Sequence, residues 1–108
     1  MTIPPLIAKL PEVKSALVST RQGGVVEVMR EREGERVAAV VGFLSSTLGE
    51  AGDELGLGHL RRVAFNGPGR GGVIAVAGAE LVAAFVEPPS SVASIEKLLA
   101  GAVGQKEA

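Results

Sequence analysis

The sequence predicts an α+β fold: one five-stranded antiparallel sheet with a long helix on one face and a closing helix at the end. Three observations carry this. Two β-rich runs flank a Gly-Gly turn between Ser15 and Arg30; a single long stretch, Glu35 to Leu55, has helical periodicity; and three further β-rich runs, punctuated by Gly and Pro, precede an apolar helical pattern after Pro88-Pro89. The order is therefore strand, strand, helix, strand, strand, strand, helix. Strands before and after a helix with no βαβ alternation belong to the α+β class.

In the first 12 residues Leu6, Ile7 and Leu10 lie among Pro4, Pro5 and Pro11, which leaves room for a turn or two of helix before proline stops it. This segment reads as a short N-terminal remnant, residues 13–104 as the domain and 105–108 as a tail. SALVST, the turn Arg21-Gln22-Gly23-Gly24 and VVEVMR form the hairpin signal. In its second strand Val26 and Val28 share one face and Val25, Glu27 and Met29 the other, the alternation of a half-buried strand. REREGER, Arg30 to Arg36, alternates in charge and reads as a solvated loop.

The long helix has two stripes. At about 100° per residue, Val37, Val40, Val41, Leu44, Leu48, Ala51 and Leu55 fall within one arc and are expected to lie on the sheet. Beside them Ala38, Gly42, Ser45 and Gly49 make a stripe of small residues. Gly costs a helix interior roughly 0.5–1 kcal/mol relative to Ala, so this stripe predicts a close-packed partner. Leu55-Gly56-Leu57-Gly58 is the expected C-cap.

His59 to Asn66 reads as a strand that points Arg61 and Arg62 to opposite faces. Gly67 to Gly72 forms a turn, VIAVAG and LVAAFVE complete a three-stranded meander, and the run Val73 to Ala77, apolar on both faces, is expected at its centre. Ser90 or Ser91 can cap a closing helix that buries Val92, Ile95, Leu98, Leu99, Ala102 and Val103.

Composition narrows the function. The 108 residues make one domain with no cysteine, which excludes disulfide, zinc-thiolate and Cys-nucleophile chemistry and fits a reducing cytoplasm. No segment resembles a signal peptide or reaches the roughly 20 apolar residues of a membrane span, so a cytoplasmic protein without membrane insertion is expected. Eleven basic and 12 acidic residues give a net charge of −1, without the broad basic stripe that nucleic acid requires; Phe43, Phe65 and Phe85 are the only aromatic residues. The expected partner is another protein.

Catalytic and cofactor readings find little support. Gly67, Gly69 and Gly72 satisfy G-x-G-x-x-G, but a dinucleotide site needs those glycines to open a helix, and here a strand follows. His59 is the only histidine and Asp53 the only aspartate, so neither a metal cluster nor a triad can be assembled around them. No enzyme activity, cofactor or metal is expected. Phe43 lies off the core arc, where an aromatic would be exposed and available to a partner; Arg61 and Arg70 are further candidates for partner contact.

The element order, with SALVSTRQGGVVEV at the front and GGVIAVAGAELVAAFVEP at the back, resembles the roadblock family of dynein-light-chain-like domains over roughly Val13 to Val103. Longin and profilin-like folds share much of this layout, and a profilin-like small-ligand domain is one alternative. The resemblance implies a homodimer formed through the long helix and the following strand, with Ala38, Gly42, Ser45, Gly49, Leu60, Arg62 and Ala64 at the interface. It also implies a small Ras-like GTPase as partner, since bacterial members bind such proteins and the gliding-motility member activates GTP hydrolysis by repositioning the GTPase's own loops. A scaffold subunit without effect on hydrolysis is the other alternative. The Pro-interrupted first helix and the Arg21-Gln22-Gly23-Gly24 turn, where many members carry an acidic turn, depart from the family pattern.

Overall fold

The computed structural model describes residues 1–105. A four-residue helix α1 (Pro5–Ala8) is followed by strands β1 (Val13–Thr20) and β2 (Val25–Met29), helix α2 (Gly34–Glu54), strands β3 (Arg62–Asn66), β4 (Gly71–Ala77) and β5 (Glu80–Val86), a 3₁₀ turn at Pro89–Ser91 and helix α3 (Val92–Ala102). All neighbouring strands are antiparallel, in the order β2-β1-β5-β4-β3. The predicted sheet, hairpin, meander and helices are all present. β4, holding Val73 to Ala77, lies at the centre of the meander as expected, and β5 takes the centre of the whole sheet because it pairs with β1 and so joins the hairpin to the meander.

Alternation along the strands sorts two cores. Val13, Ala16, Val18, Val73, Ala75, Val82, Ala84 and Val86 face α1 and α3, packing with Ile7, Ile95 and Leu99. Leu17, Ile74, Leu81 and Ala83 face α2. A four-residue helix has no stability of its own; α1 is held because Ile7 is fully buried, which contributes about 1.5–3 kcal/mol.

The hairpin turn closes as its glycines predict. Gly23 takes φ +95°, its N–H donates to the Thr20 carbonyl at 3.0 Å, and Thr20 N–H donates to the Gly24 carbonyl at 2.8 Å. Helix α2 also ends as expected, in a complete Schellman motif: Gly56 has φ +71°, with Gly56 N–H on Asp53 O at 3.0 Å and Leu57 N–H on Gly52 O at 2.9 Å.

Several expectations are revised. β3 begins at Arg62, not His59. Leu98 and Ala102 of α3 are exposed, and Ala100 takes a buried place instead. Ser91 sits at the N-cap of α3 without a side-chain cap bond; its N–H instead donates to Pro88 O at 3.0 Å. Gln105, read from sequence as the start of a tail, is anchored. A second Schellman turn at Gly104 (φ +78°) places Gln105 so that its Nε2 donates to Arg61 O at 2.9 Å and Val76 O at 3.0 Å, while its Oε1 accepts from Arg62 Nη1 at 2.7 Å. The remainder of that expected tail, 106–108, lies outside the described residues. Among the described residues no helix is long and apolar enough to cross a membrane.

Candidate interaction surface

Helix α2 connects one sheet edge, β2, to the other, β3, and packs chiefly against β1, β2 and β5. Its orientation shares the sheet between its two stripes: Val41 is buried in the same core as Ala38, and Val37 and Leu44 pack against it. Ala38 and Gly42 are buried, pressed onto the chain's own hairpin: a Cβ built on Gly42 would lie 2.9 Å from Gly23 Cα and one built on Gly23 3.0 Å from Ala39 Cα. In this chain both are buried against the hairpin, with Gly42 at the wall of the cleft beneath α2. Of the stripe only Ser45 and Gly49 keep partial exposure, and space around Gly49 is open.

The expected core arc meets the sheet only in part. Val41 alone is buried; Val37, Leu44 and Leu48 are half-buried, Val40 is 47% exposed, and Ala51 and Leu55 lie in solvent. The physical reason is close approach: small residues let the helix axis settle onto the hairpin, and the large aliphatic residues then project to the flank over β4 and β3. There they wall a groove of about 370 Å³ whose floor is Phe65, Ile74 and Phe85.

The groove opens beside the free edge of β3, where Ala64 is exposed and Arg62 half-buried. Arg62 turns to the α3 side, with Nε 3.2 Å from Glu96 Oε2, so this expected interface residue is held by its own chain. Leu60, just before the strand, is half-buried. It lies with Val76, Gly49 and the Arg21-Gln22 turn around a second cleft of about 700 Å³ under the C-terminal half of α2.

The three residues expected to touch a partner line different depressions. Phe43 is 69% exposed at the rim of the cleft beneath α2. Arg61 is exposed beside His59 and Glu96. Arg70 is not free at a loop tip: its guanidinium lies 5.4 Å from the Phe85 ring centroid and donates to buried Ser15 Oγ at 3.0 Å, with Glu87 at 3.8 Å. The cation–π contact and the hydrogen bond pin it across the end of the groove. The glycine loop before it is a hairpin connection, closed by Gly67 N–H on Arg70 O at 2.8 Å, with strands on both sides.

His59 is exposed and no three or more His, Asp or Glu residues converge to hold a metal among the described residues. Arg36, paired with Glu33 at 2.6 Å, has its pKa raised by that hydrogen bond and charge.

No protein-family model and no curated protein matches the sequence; the solved structures do match. A Roadblock/LC7 domain from Streptomyces avermitilis superposes with a TM-score of 0.71 over 93% of this chain and 92% of that one, at 20% identity. The chain has the Roadblock/LC7 fold. MglB from Myxococcus xanthus gives a TM-score of 0.72 over 84% of this chain and 79% of its own, at 8% identity, and the gliding protein MglB from Thermus thermophilus gives 0.70 over 84% and 74%, at 16% identity. Within this roadblock fold two signals went unread in the sequence. Gly23 and Gly42 are a matched pair that lets helix and turn touch backbone to backbone. Gly71, where a Cβ would run into Val92 Cγ2, lets α3 start against β4.

Proposed function

We propose that this chain is a homodimeric adaptor that binds a small Ras-like GTPase and adjusts its nucleotide cycle, with no chemistry of its own. The observation that carries the reading is the uncovered aliphatic flank of α2 beside the free edge of β3. An amphipathic helix face left in solvent next to an unpaired strand is costly in a lone monomer and is used when a partner covers it. A second copy, pairing β3 with β3, would extend the sheet to ten strands and bring the two α2 flanks together. The GTPase rests on the fold's likeness to the MglB gliding proteins and on the family resemblance of the sequence.

Two measurements test this. Light scattering across a dilution series should give a mass near twice 11.0 kDa; the monomer mass throughout removes the dimer. GTP turnover by a Ras-like GTPase from the same source should change on adding the protein. A stable dimer that neither binds nor alters that GTPase would make the chain a scaffold subunit instead.

A further inference from the structure

We infer that in the homodimer each copy seats Leu55 and Leu57, at the C-terminal end of its α2, in the second copy's groove between α2 and the sheet. This rests on the dimer reading above and adds the register of its helices.

The first support is direction. An antiparallel β3–β3 pair centred near Ala64 sets Arg62 of one copy beside Asn66 of the other. The groove lies at the Phe65 end of β3, whereas α2 runs out, and residues 55–61 return, at the Arg62 end. Twofold symmetry therefore carries the end of one α2 to the mouth of the other copy's groove.

The second support is an unmet contact. In a Schellman motif the residue after the left-handed glycine commonly packs on the residue at the third helical position from the end. Here that third position is Gly52, which has no side chain. Leu57 is 75% exposed, and Leu55 beside it is 73% exposed. Two leucines thus project where the groove offers Val37, Val40 and Leu44 against Phe65, Ile74 and Phe85.

Charge is the third support. The last turn of α2 holds Asp53 and Glu54 and no base, which opposes the helix macrodipole. An antiparallel helix pair answers this by aligning the two dipoles favourably, while the rim of the groove, where Arg36 is paired with Glu33 and Arg70 lies beside Ser15 and Glu87, carries acids and bases alike.

The absence of cysteine makes a clean test. Val40→Cys and Leu57→Cys are placed in one chain; at 1.5 Å per residue α2 alone sets Val40 about 21 Å from the helix end at Glu54, too far for a short bismaleimide to join the two sites within a copy. Circular dichroism checks that the variant folds, as expected for two exposed sites. The double variant should cross-link efficiently to a species of twice the chain mass at low micromolar protein, and neither single variant should do so. Ala64→Cys, near the twofold axis, reports the β3 pairing separately. If Ala64→Cys cross-links and the scattering mass is that of a dimer while the double variant stays single, the helix register proposed here is wrong and the dimer stands. If Ala64→Cys also fails and the mass is that of a monomer, both fall. In agreement with the inference, Leu57→Asp should raise the dimer dissociation constant tenfold or more, and an unchanged constant overturns it.

Discussion

Replacing Gly42 by alanine isolates the contact between α2 and the hairpin turn. The added Cβ would lie 2.9 Å from both Gly23 Cα and Gly23 N and 3.2 Å from Arg21 O. All three are backbone atoms, so relief requires the turn or the helix to move, and overpacking of this kind costs about 1–3 kcal/mol. Alanine simultaneously gains about 1 kcal/mol of helix propensity over glycine. The expected net is a loss of about 0–2 kcal/mol. Gly49→Ala supplies the reference: it lies in the same helix with nothing within 4 Å of the new Cβ, so it keeps the propensity gain of about 1 kcal/mol and no clash. The two variants should thus separate by the overpacking cost alone, which at about 4–8 °C per kcal/mol is on the order of 10 °C in Tm. Thermal unfolding by circular dichroism at one fixed protein concentration reads this directly. Equal upward shifts for both variants would refute the close helix–turn contact.

Gly71→Ala should destabilise by about 1–3 kcal/mol in urea unfolding, since its Cβ meets Val92 Cγ2 and lies 2.9 Å from Phe65 O; an unchanged midpoint would mean that α3 does not start against β4. Ser19→Ala should be neutral or stabilising by up to about 1 kcal/mol, because the buried Ser19 hydroxyl has no hydrogen-bond partner among the described residues and its desolvation is uncompensated; a clear loss of stability would count against that. Gln105→Ala removes three side-chain hydrogen bonds and should speed amide exchange in β3 and at the end of α3 while leaving β1 and β2 protected; uniform protection would show that the clasp is dispensable.

The strand runs and turns were legible because each carries its own local signal: alternation in β2, Gly23-Gly24 in the hairpin, Gly56 after α2. What sequence left open is the rotation of α2. Both its stripes are chemically fit to lie on a sheet, and periodicity gives their angular separation without saying which one faces down. The turn decides it. Gly23, at positive φ, removes the side chain that would have kept Gly42 away, and once Ala38 and Gly42 settle there Val37, Val40 and Leu44 are forced to the flank. The exposed part of the helix is therefore largely the aliphatic arc, with Val40 and Leu55 in solvent, while Ala38 and Gly42 of the small stripe are buried inside the chain. Gln105 was equally hidden, since a glutamine followed by charged residues carries no pattern; its role arises from Gly104 turning the chain back onto β3.

Two sheet edges are free in the monomer, and they are not equivalent. In β2 the register slips between Val18 and Ser19, so that Val26 is an extra residue; a bulge of this kind bends and twists an edge away from straight pairing. The N-terminal segment also crosses it, with Ile3 N–H on Glu27 Oε1 at 2.8 Å, and the start of α2 sits on Val28, where a Cβ on Gly34 would lie 2.8 Å from Val28 Cγ2. β3 pairs with β4 in unbroken register from Arg62 to Asn66 and has an apolar groove at its shoulder. Straight backbone and adjacent apolar surface both favour β3 as the edge that a second copy takes up. Val26→Glu, on the bulged edge, should accordingly leave the scattering mass of the dimer unchanged, whereas Phe65→Glu, which puts a carboxylate into the groove, should shift the mass toward 11.0 kDa on dilution. The opposite pattern, a mass that falls with Val26→Glu and holds with Phe65→Glu, would move the dimer to the other edge and take the groove out of the interface.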